Sequence, residues 1–158
     1  MGMGSEMRSE LKTLLEYLLE ANESVILYHG TLKEKVPAIL RDGLKKSIGW
    51  GEAGTEGVYL SGTRAGAEYW AKIAYMSAND ERLESGIFDR EYGDRKDELI
   101  RVLRVEIPMS AIGNLRADME QAEEYGFEGE SEDWQQSLNV IGDVMYDGDI
   151  PSNWITVL

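Results

Sequence analysis

Hydrophobic and polar residues repeat with two different periods in the first part of the chain. Residues 5–22 carry leucines at helical spacing with glutamates on the opposite side, which predicts an amphipathic helix. Residues 24–28 (SVILY) form a short apolar, β-branched run, which predicts a buried strand. This strand ends at His29-Gly30-Thr31, so the change from strand to helix is expected close to the histidine.

A helix is predicted to follow directly. Thr31 and Glu34 have the spacing of a capping box, and Gly43 is placed to end the helix. Pro37 lacks an amide proton and is therefore expected in an early turn, with the main helix over 36–41.

The middle of the chain contains a loop, a strand and a second helix. Residues 45–57 include four glycines and predict a loop, while 58–61 predict a short strand. Thr63 is expected to cap a helix over 64–78 that buries Ala67, Trp70, Ala71 and Ala74. Residues 79–98 are highly charged, so we expect a solvated excursion there.

Strand patterns dominate the last third. Residues 99–107 (LIRVLRVEI) alternate and predict a central strand. Residues 118–133 hold eight acids and no base, which predicts a solvated loop. Strand character follows in three later segments: 140–141, 144–146 and 154–158.

Length and composition limit the fold and the chemistry. The 158 residues suit a single domain, and the order of elements predicts an α+β fold with strands of mixed order. The absence of cysteine and the single histidine exclude a cysteine nucleophile, disulfides and multi-histidine metal centres. The net charge of −14 repels phosphate backbones, so any nucleic-acid contact needs a local basic patch.

The cellular location is expected to be the cytoplasm. No apolar run approaches the roughly 18 residues of a membrane span, and the first residues lack a signal-peptide pattern. We therefore expect no membrane partner. We also expect no metal, although the composition still allows a Mg²⁺ or Ca²⁺ site made of carboxylates alone. Residues 1–4 (MGMG) are expected to be partly a cloning remnant.

Four residues on or next to the two short strands are candidates for binding. His29 lies at the end of a predicted strand, and Gly30 lets a ligand approach the main chain because it has no Cβ. Tyr59 offers a stacking surface for a flat ring. Ser61 falls on the same face of its strand as Tyr59, because strand side chains alternate with period two.

Four segments together resemble the NAD-binding core of the ADP-ribosyltransferases, and of the related RNA 2′-phosphotransferases. The resemblance spans roughly residues 25–75 and 99–158. Its motifs are LYHGT at 27–31, PAILRDGL at 37–44, GVYLS at 57–61 and DVMYDGDIPSNWI at 143–155.

The resemblance implies a fold and a reaction. The fold is a split mixed or antiparallel β-sheet with an N-terminal helix and two flanking helices, in which 24–158 form the NAD-binding core. The reaction uses NAD as co-substrate, releases nicotinamide and transfers ADP-ribose to a protein or nucleic-acid acceptor, with mono-transfer expected of a small domain.

It also implies roles for individual residues. His29 holds the adenosine-side ribose hydroxyl, and the main chain of Gly30 pairs with the nicotinamide carboxamide. Tyr59 stacks on the nicotinamide ring, and Ser61 bonds to the carboxamide. Two further residues are expected to contact NAD: Thr31, where a helix N-terminus favours an anion, and Arg64, beside the pyrophosphate.

The third motif residue of this family is usually acidic and falls near Asp143, with Gly142 or Ile141 as alternative registers. A carboxylate there stabilises the positive charge that develops on the ribose as nicotinamide leaves. His29, Tyr59 and Asp143 are therefore the candidate catalytic residues.

Two other functions are open at this point. One is an RNA 2′-phosphotransferase-like enzyme that uses NAD, although Tyr59 stands where those enzymes place a histidine. The other is an inactive module that binds NAD or ADP-ribose.

Overall fold

A computed structural model describes residues 24–48, 56–79, 85–118 and 134–158. The helix expected over 5–22 lies outside the described residues, as do most of the acidic segment 118–133 and part of the loop 45–57. Five α-helices are present in the described part: α1 Val36–Asp42, α2 Arg64–Ala78, α3 Ser85–Tyr92, α4 Lys96–Leu99 and α5 Trp134–Val140.

Within the described residues, seven strands form one sheet. They are β1 Ser24–Leu32, β2 Ser47–Ile48, β3 Glu56–Ser61, β4 Ile100–Pro108, β5 Leu115–Ala117, β6 Asp143–Tyr146 and β7 Ile155–Val157. Short 3-10 helices connect some of them: Lys33–Lys35, Gly93–Arg95, Met109–Asn114 and Ser152–Trp154.

The strand order is β5-β6-β3-β1-β4-β7, and β2 pairs with β3. Each of these pairings is antiparallel, so the α+β class is confirmed, and of the two expected sheet types, mixed or antiparallel, the described strands form the antiparallel one. β1 pairs with β4 along its whole length, from Ser24 opposite Pro108 to Leu32 opposite Ile100. Its pairing with β3, by contrast, is a single residue pair, Tyr28 opposite Ser61.

The core lies on both faces of this sheet. β4 alternates as its sequence predicts, with Leu103, Val105 and Ile107 in a large apolar cluster that also receives residues of α1. Ile100 joins a smaller cluster under α2 and α3. Burial of both faces explains why the central strands are apolar along most of their length.

The predictions for the first two helices are largely confirmed. α2 spans 64–78 as expected, and the Thr63 hydroxyl accepts a hydrogen bond from the Gly66 N–H at 3.0 Å. Pro37 stands in the first turn of α1, where its missing N–H is harmless. Gly43 ends α1 with φ of 82°, a conformation that favours glycine.

The capping box at Thr31 is wrong. β1 continues through Thr31 to Leu32, and the Thr31 side chain is buried in the strand. Glu34 belongs to a 3-10 helix that has no side-chain cap. The strand continues because its pairing with β4 holds the main chain extended as far as Leu32, and this ladder outweighs a local capping signal.

The solvated excursion over 79–98 is also wrong where the structure describes it. α3 and α4 occupy most of this segment, and Ile87 and Phe88 are buried. The Phe88 ring makes an edge contact with Tyr75 of α2 at 5.7 Å between centroids. The high charge of the segment lies on the opposite, exposed side of these short helices.

The prediction of a strand at 140–141 is also wrong. Val140 is the last residue of α5, and Ile141 lies in the turn that follows. The predicted strand at 144–146 is confirmed and begins one residue earlier, at Asp143. The last strand begins at Ile155, because Trp154 still belongs to a 3-10 helix.

Candidate functional site

The candidate site lies where β1 and β3 diverge on either side of their single residue pair. The His29 ring bridges the two strands there, with Nδ1 2.8 Å from the carbonyl oxygen of Tyr59. A carbonyl oxygen only accepts, so Nδ1 carries the proton and donates. At this point of the sheet, the His29 side chain thus makes the hydrogen bond between the two strands that main-chain groups make elsewhere.

A cavity of about 870 Å³ opens at this divergence. Its wall is built by β1, β3, α1 and α2, together with the start of β6 and the end of β5. The predicted site residues that line it are His29, Gly30, Thr31, Tyr59, Ser61 and Asp143. Arg64 is exposed at the first position of α2 and does not belong to this wall.

Asp143 is held in a fixed orientation in this wall. It lies opposite Ser61 in the β3–β6 ladder, and the Ser61 hydroxyl donates to its Oδ1 at 2.6 Å. The indole N–H of Trp70 donates to Oδ2 at 3.0 Å.

The alternative registers occupy other positions. Gly142 has φ of 91°, and its carbonyl accepts a hydrogen bond from the Gly62 N–H at 2.9 Å. Ile141 donates its N–H to the Ser137 carbonyl in the turn after α5. Asp143 is the residue of these three that lines the cavity.

His29 is held in the neutral form. Burial lowers the pKa of the imidazole below its usual value of 6.5, and the nearby charge of Lys35 acts in the same direction. The hydrogen bond to Tyr59 opposes this shift without cancelling it. With Nδ1 donating, Nε2 of the neutral ring is an acceptor, suited to a hydroxyl group.

This burial makes stability depend on pH in a defined direction. Because the folded pKa is lowered, the unfolded chain takes up the proton more readily once the pH falls below 6.5. We expect the free energy of unfolding to fall on acidification, by at most about 1.4 kcal/mol per pH unit from this group.

Urea denaturation at several pH values tests this for the single histidine of the chain. The matched variant is His29→Asn, whose amide N–H can still donate to the Tyr59 carbonyl. The stability difference between wild type and variant should shrink as the pH falls from about 7.5 to about 5.5. A constant difference would show that His29 is not held neutral.

Gly30 has a structural reason to be glycine. A Cβ at this position would lie 1.8 Å from the carbonyl oxygen of Ala67 and 2.8 Å from the amide nitrogen of Ala71. The α2 backbone therefore occupies the space that the missing side chain leaves. Gly30 also lines the cavity, so its close packing against α2 sets one wall of the site.

Two cavity residues were missed by sequence reasoning. Trp70 was expected in the core of α2, but it reaches the cavity and bonds Asp143. The available signal was its indole N–H, which usually needs a partner when a tryptophan is buried. Asp118 was assigned to a solvated loop, yet it is 3 % exposed and lines the cavity, so that assignment is wrong for this residue.

The charges of the cavity wall are unevenly distributed. The buried acids are Asp118 and Asp143, whereas Lys35 and Lys45 are exposed near α1. The buried end is therefore suited to a developing positive charge, and the open end carries cations together with the exposed acids Glu34 and Asp42.

No protein-family model and no curated protein matches this chain. Across residues 24–48, 56–79, 85–118 and 134–158, no three His, Asp or Glu side chains are grouped as a metal site. No helix in these same ranges has the length and apolar character needed to cross a membrane.

Proposed function

We propose that the protein is an NAD-dependent ADP-ribosyltransferase built on an ADP-ribosyltransferase-like split sheet. It cleaves NAD at the nicotinamide-ribose bond and transfers ADP-ribose to an acceptor. The observation that carries this proposal is the Asp143 carboxylate, oriented by Ser61 and Trp70 in a cavity whose wall also contains His29 and Tyr59.

The reaction needs a fixed negative charge beside the ribose. As the bond between ribose C1′ and nicotinamide lengthens, positive charge develops on the ribose ring. Asp143 stabilises this charge and accepts a hydrogen bond from the ribose 2′-hydroxyl. Because two donors already fix the carboxylate, little reorganisation is needed in the transition state. Nicotinamide leaves uncharged, so its departure needs no strong acid.

The remaining residues of the wall position NAD. Nε2 of neutral His29 accepts a hydrogen bond from the adenosine-side ribose hydroxyl. Tyr59 stacks on the nicotinamide ring, as flat aromatic surfaces favour. Ser61 donates to Asp143, and its oxygen can accept an N–H of the carboxamide. The Gly30 main chain lies on the same wall and pairs with the carboxamide.

The pyrophosphate of NAD is assigned to the open end of the cavity. Lys35 and Lys45 supply positive charge there, whereas Arg64 lies outside the wall. Among the described residues of the wall, two lysines stand beside four acids, and this balance favours ADP-ribosyl transfer over removal of an RNA phosphate.

Proton NMR of NAD incubated with the protein tests this function. We expect free nicotinamide to accumulate, first through slow transfer to water. Tyr59→Ala should raise KM for NAD by up to about tenfold, because ring stacking contributes roughly 0.5–1.5 kcal/mol. Asp97→Asn, an exposed substitution on helix α4, is the control for effects of mutation and purification that do not involve the site.

The outcomes are distinct. Nicotinamide release that is unaffected by Tyr59→Ala would place the activity elsewhere. Shifted NAD resonances without release would indicate a module that binds NAD without cleaving it. Unchanged NAD resonances would exclude NAD as the ligand.

A further inference from the structure

We propose that Asp118 is the general base that removes the proton from the acceptor. This role rests on the proposed function and adds a second carboxylate to it. It is assigned from the place of Asp118 in the cavity wall, where it is one of two buried acids.

Asp118 and Asp143 are neighbours across the ends of two strands. The β5–β6 ladder pairs Ala117 with Val144, and each acid lies one residue beyond that pair. Residues opposite each other on antiparallel strands have Cβ atoms about 4.5–5.5 Å apart. Both residues line the same cavity, so one ligand bound there can contact both.

A buried serine hydroxyl joins the main chains of these two acids. The Ser137 hydroxyl donates to the Asp143 carbonyl at 2.7 Å and accepts from the Asp118 N–H at 2.9 Å. Ser137 is fully buried in α5. The spacing of the two acids is therefore fixed by the fold.

The chemistry of transfer calls for such a second group. A neutral acceptor, such as water or a hydroxyl, keeps a proton after it attacks C1′, and that proton must go to a base. Asp143 is already held by the Ser61 and Trp70 donors and, in the proposed function, faces the ribose, so a separate group is suited to take this proton. Among the described residues, Asp118 is the other buried carboxylate of the cavity wall.

The bond from C1′ to the nicotinamide nitrogen breaks, and its electron pair leaves with neutral nicotinamide. A lone pair of the acceptor oxygen forms the new bond to C1′. The acceptor proton passes to an Asp118 oxygen and is later released to solvent, so that transfer to water yields ADP-ribose, nicotinamide and one proton.

Azide provides a test because it is an anionic nucleophile that has no proton to lose. Wild type and Asp118→Asn are each incubated with NAD in water alone and with added sodium azide, and ADP-ribose and ADP-ribosyl azide are measured. We expect the variant to lose about 10²–10⁴-fold in the rate of ADP-ribose formation. Formation of ADP-ribosyl azide should stay within a few-fold of wild type, since that reaction needs no base.

Each result has one meaning. A merely structural role of Asp118 would reduce both products together, and that result would overturn the proposal. Unchanged formation of ADP-ribose by the variant would overturn it as well. If wild type releases nicotinamide, either failure concerns Asp118 alone. If wild type forms neither product, the proposed function and this role both fail. Asp97→Asn is the control of equal charge change and should match wild type.

Discussion

Asp143→Asn is expected to reduce nicotinamide release from NAD by about 10²–10³-fold, the usual effect of removing one preorganised electrostatic group. The amide is neutral and cannot stabilise the charge that develops on the ribose. Both contacts can be kept: the amide oxygen can accept from the Trp70 N–H, and the amide N–H₂ can donate to the Ser61 hydroxyl, which rotates and accepts. The loss of rate therefore reports mainly the loss of the charge.

Kinetics and stability must be measured together for this variant. The loss of rate should persist at saturating NAD, because the carboxylate acts mainly in the transition state. Thermal unfolding shows how much structure is lost, and Asp97→Asn again provides the exposed control. A variant that keeps the full rate at saturating NAD would remove Asp143 from the catalytic role.

Gly30→Ala is expected to lower the free energy of unfolding by about 3 kcal/mol, the upper part of the range for overpacking. The added methyl would clash with the Ala67 carbonyl at 1.8 Å, and backbone atoms of a helix cannot move aside as a flexible side chain can. α2 must then shift away from β1, and Trp70 moves with it. We therefore expect activity to fall together with stability.

Gly86→Ala is the matched control. Gly86 lies in α3, and a Cβ there would meet no atom within 4 Å. Alanine favours the helix over glycine by up to about 1 kcal/mol, so this variant should be as stable as wild type or slightly more so. Denaturant unfolding of wild type, Gly30→Ala and Gly86→Ala tests this prediction. Equal midpoints would show that β1 and α2 are not packed as closely as described.

Local patterns were enough to predict several elements. α2 was predicted correctly because a capping threonine precedes a helical run of small residues. The alternation of β4 was equally clear, because its odd-numbered residues from Leu103 to Ile107 fill one cluster. These features depend on neighbours within a few residues, and a single sequence records them directly.

The arrangement of the site could be predicted only in part. His29, Tyr59 and Ser61 were placed on the correct strands, and each lines the cavity. The contact between Ser61 and Asp143 joins residues 82 positions apart, and no local pattern encodes that pairing. The burial of Asp118 was not predicted. Asp118 begins a run of acids, and its burial depends on α5 and β6, which follow it in the chain.

Because β1 and β3 share a single residue pair, the site residues lie on two sets of strands that are paired largely independently. The β3–β6 ladder carries Tyr59, Ser61 and Asp143, whereas His29 belongs to β1, which is anchored to β4. α2 spans the gap, since it packs on Gly30 and sends Trp70 to Asp143. α2 therefore sets the distance between Asp143 and His29, so a displacement of this helix by about 1 Å is expected to slow the proposed reaction.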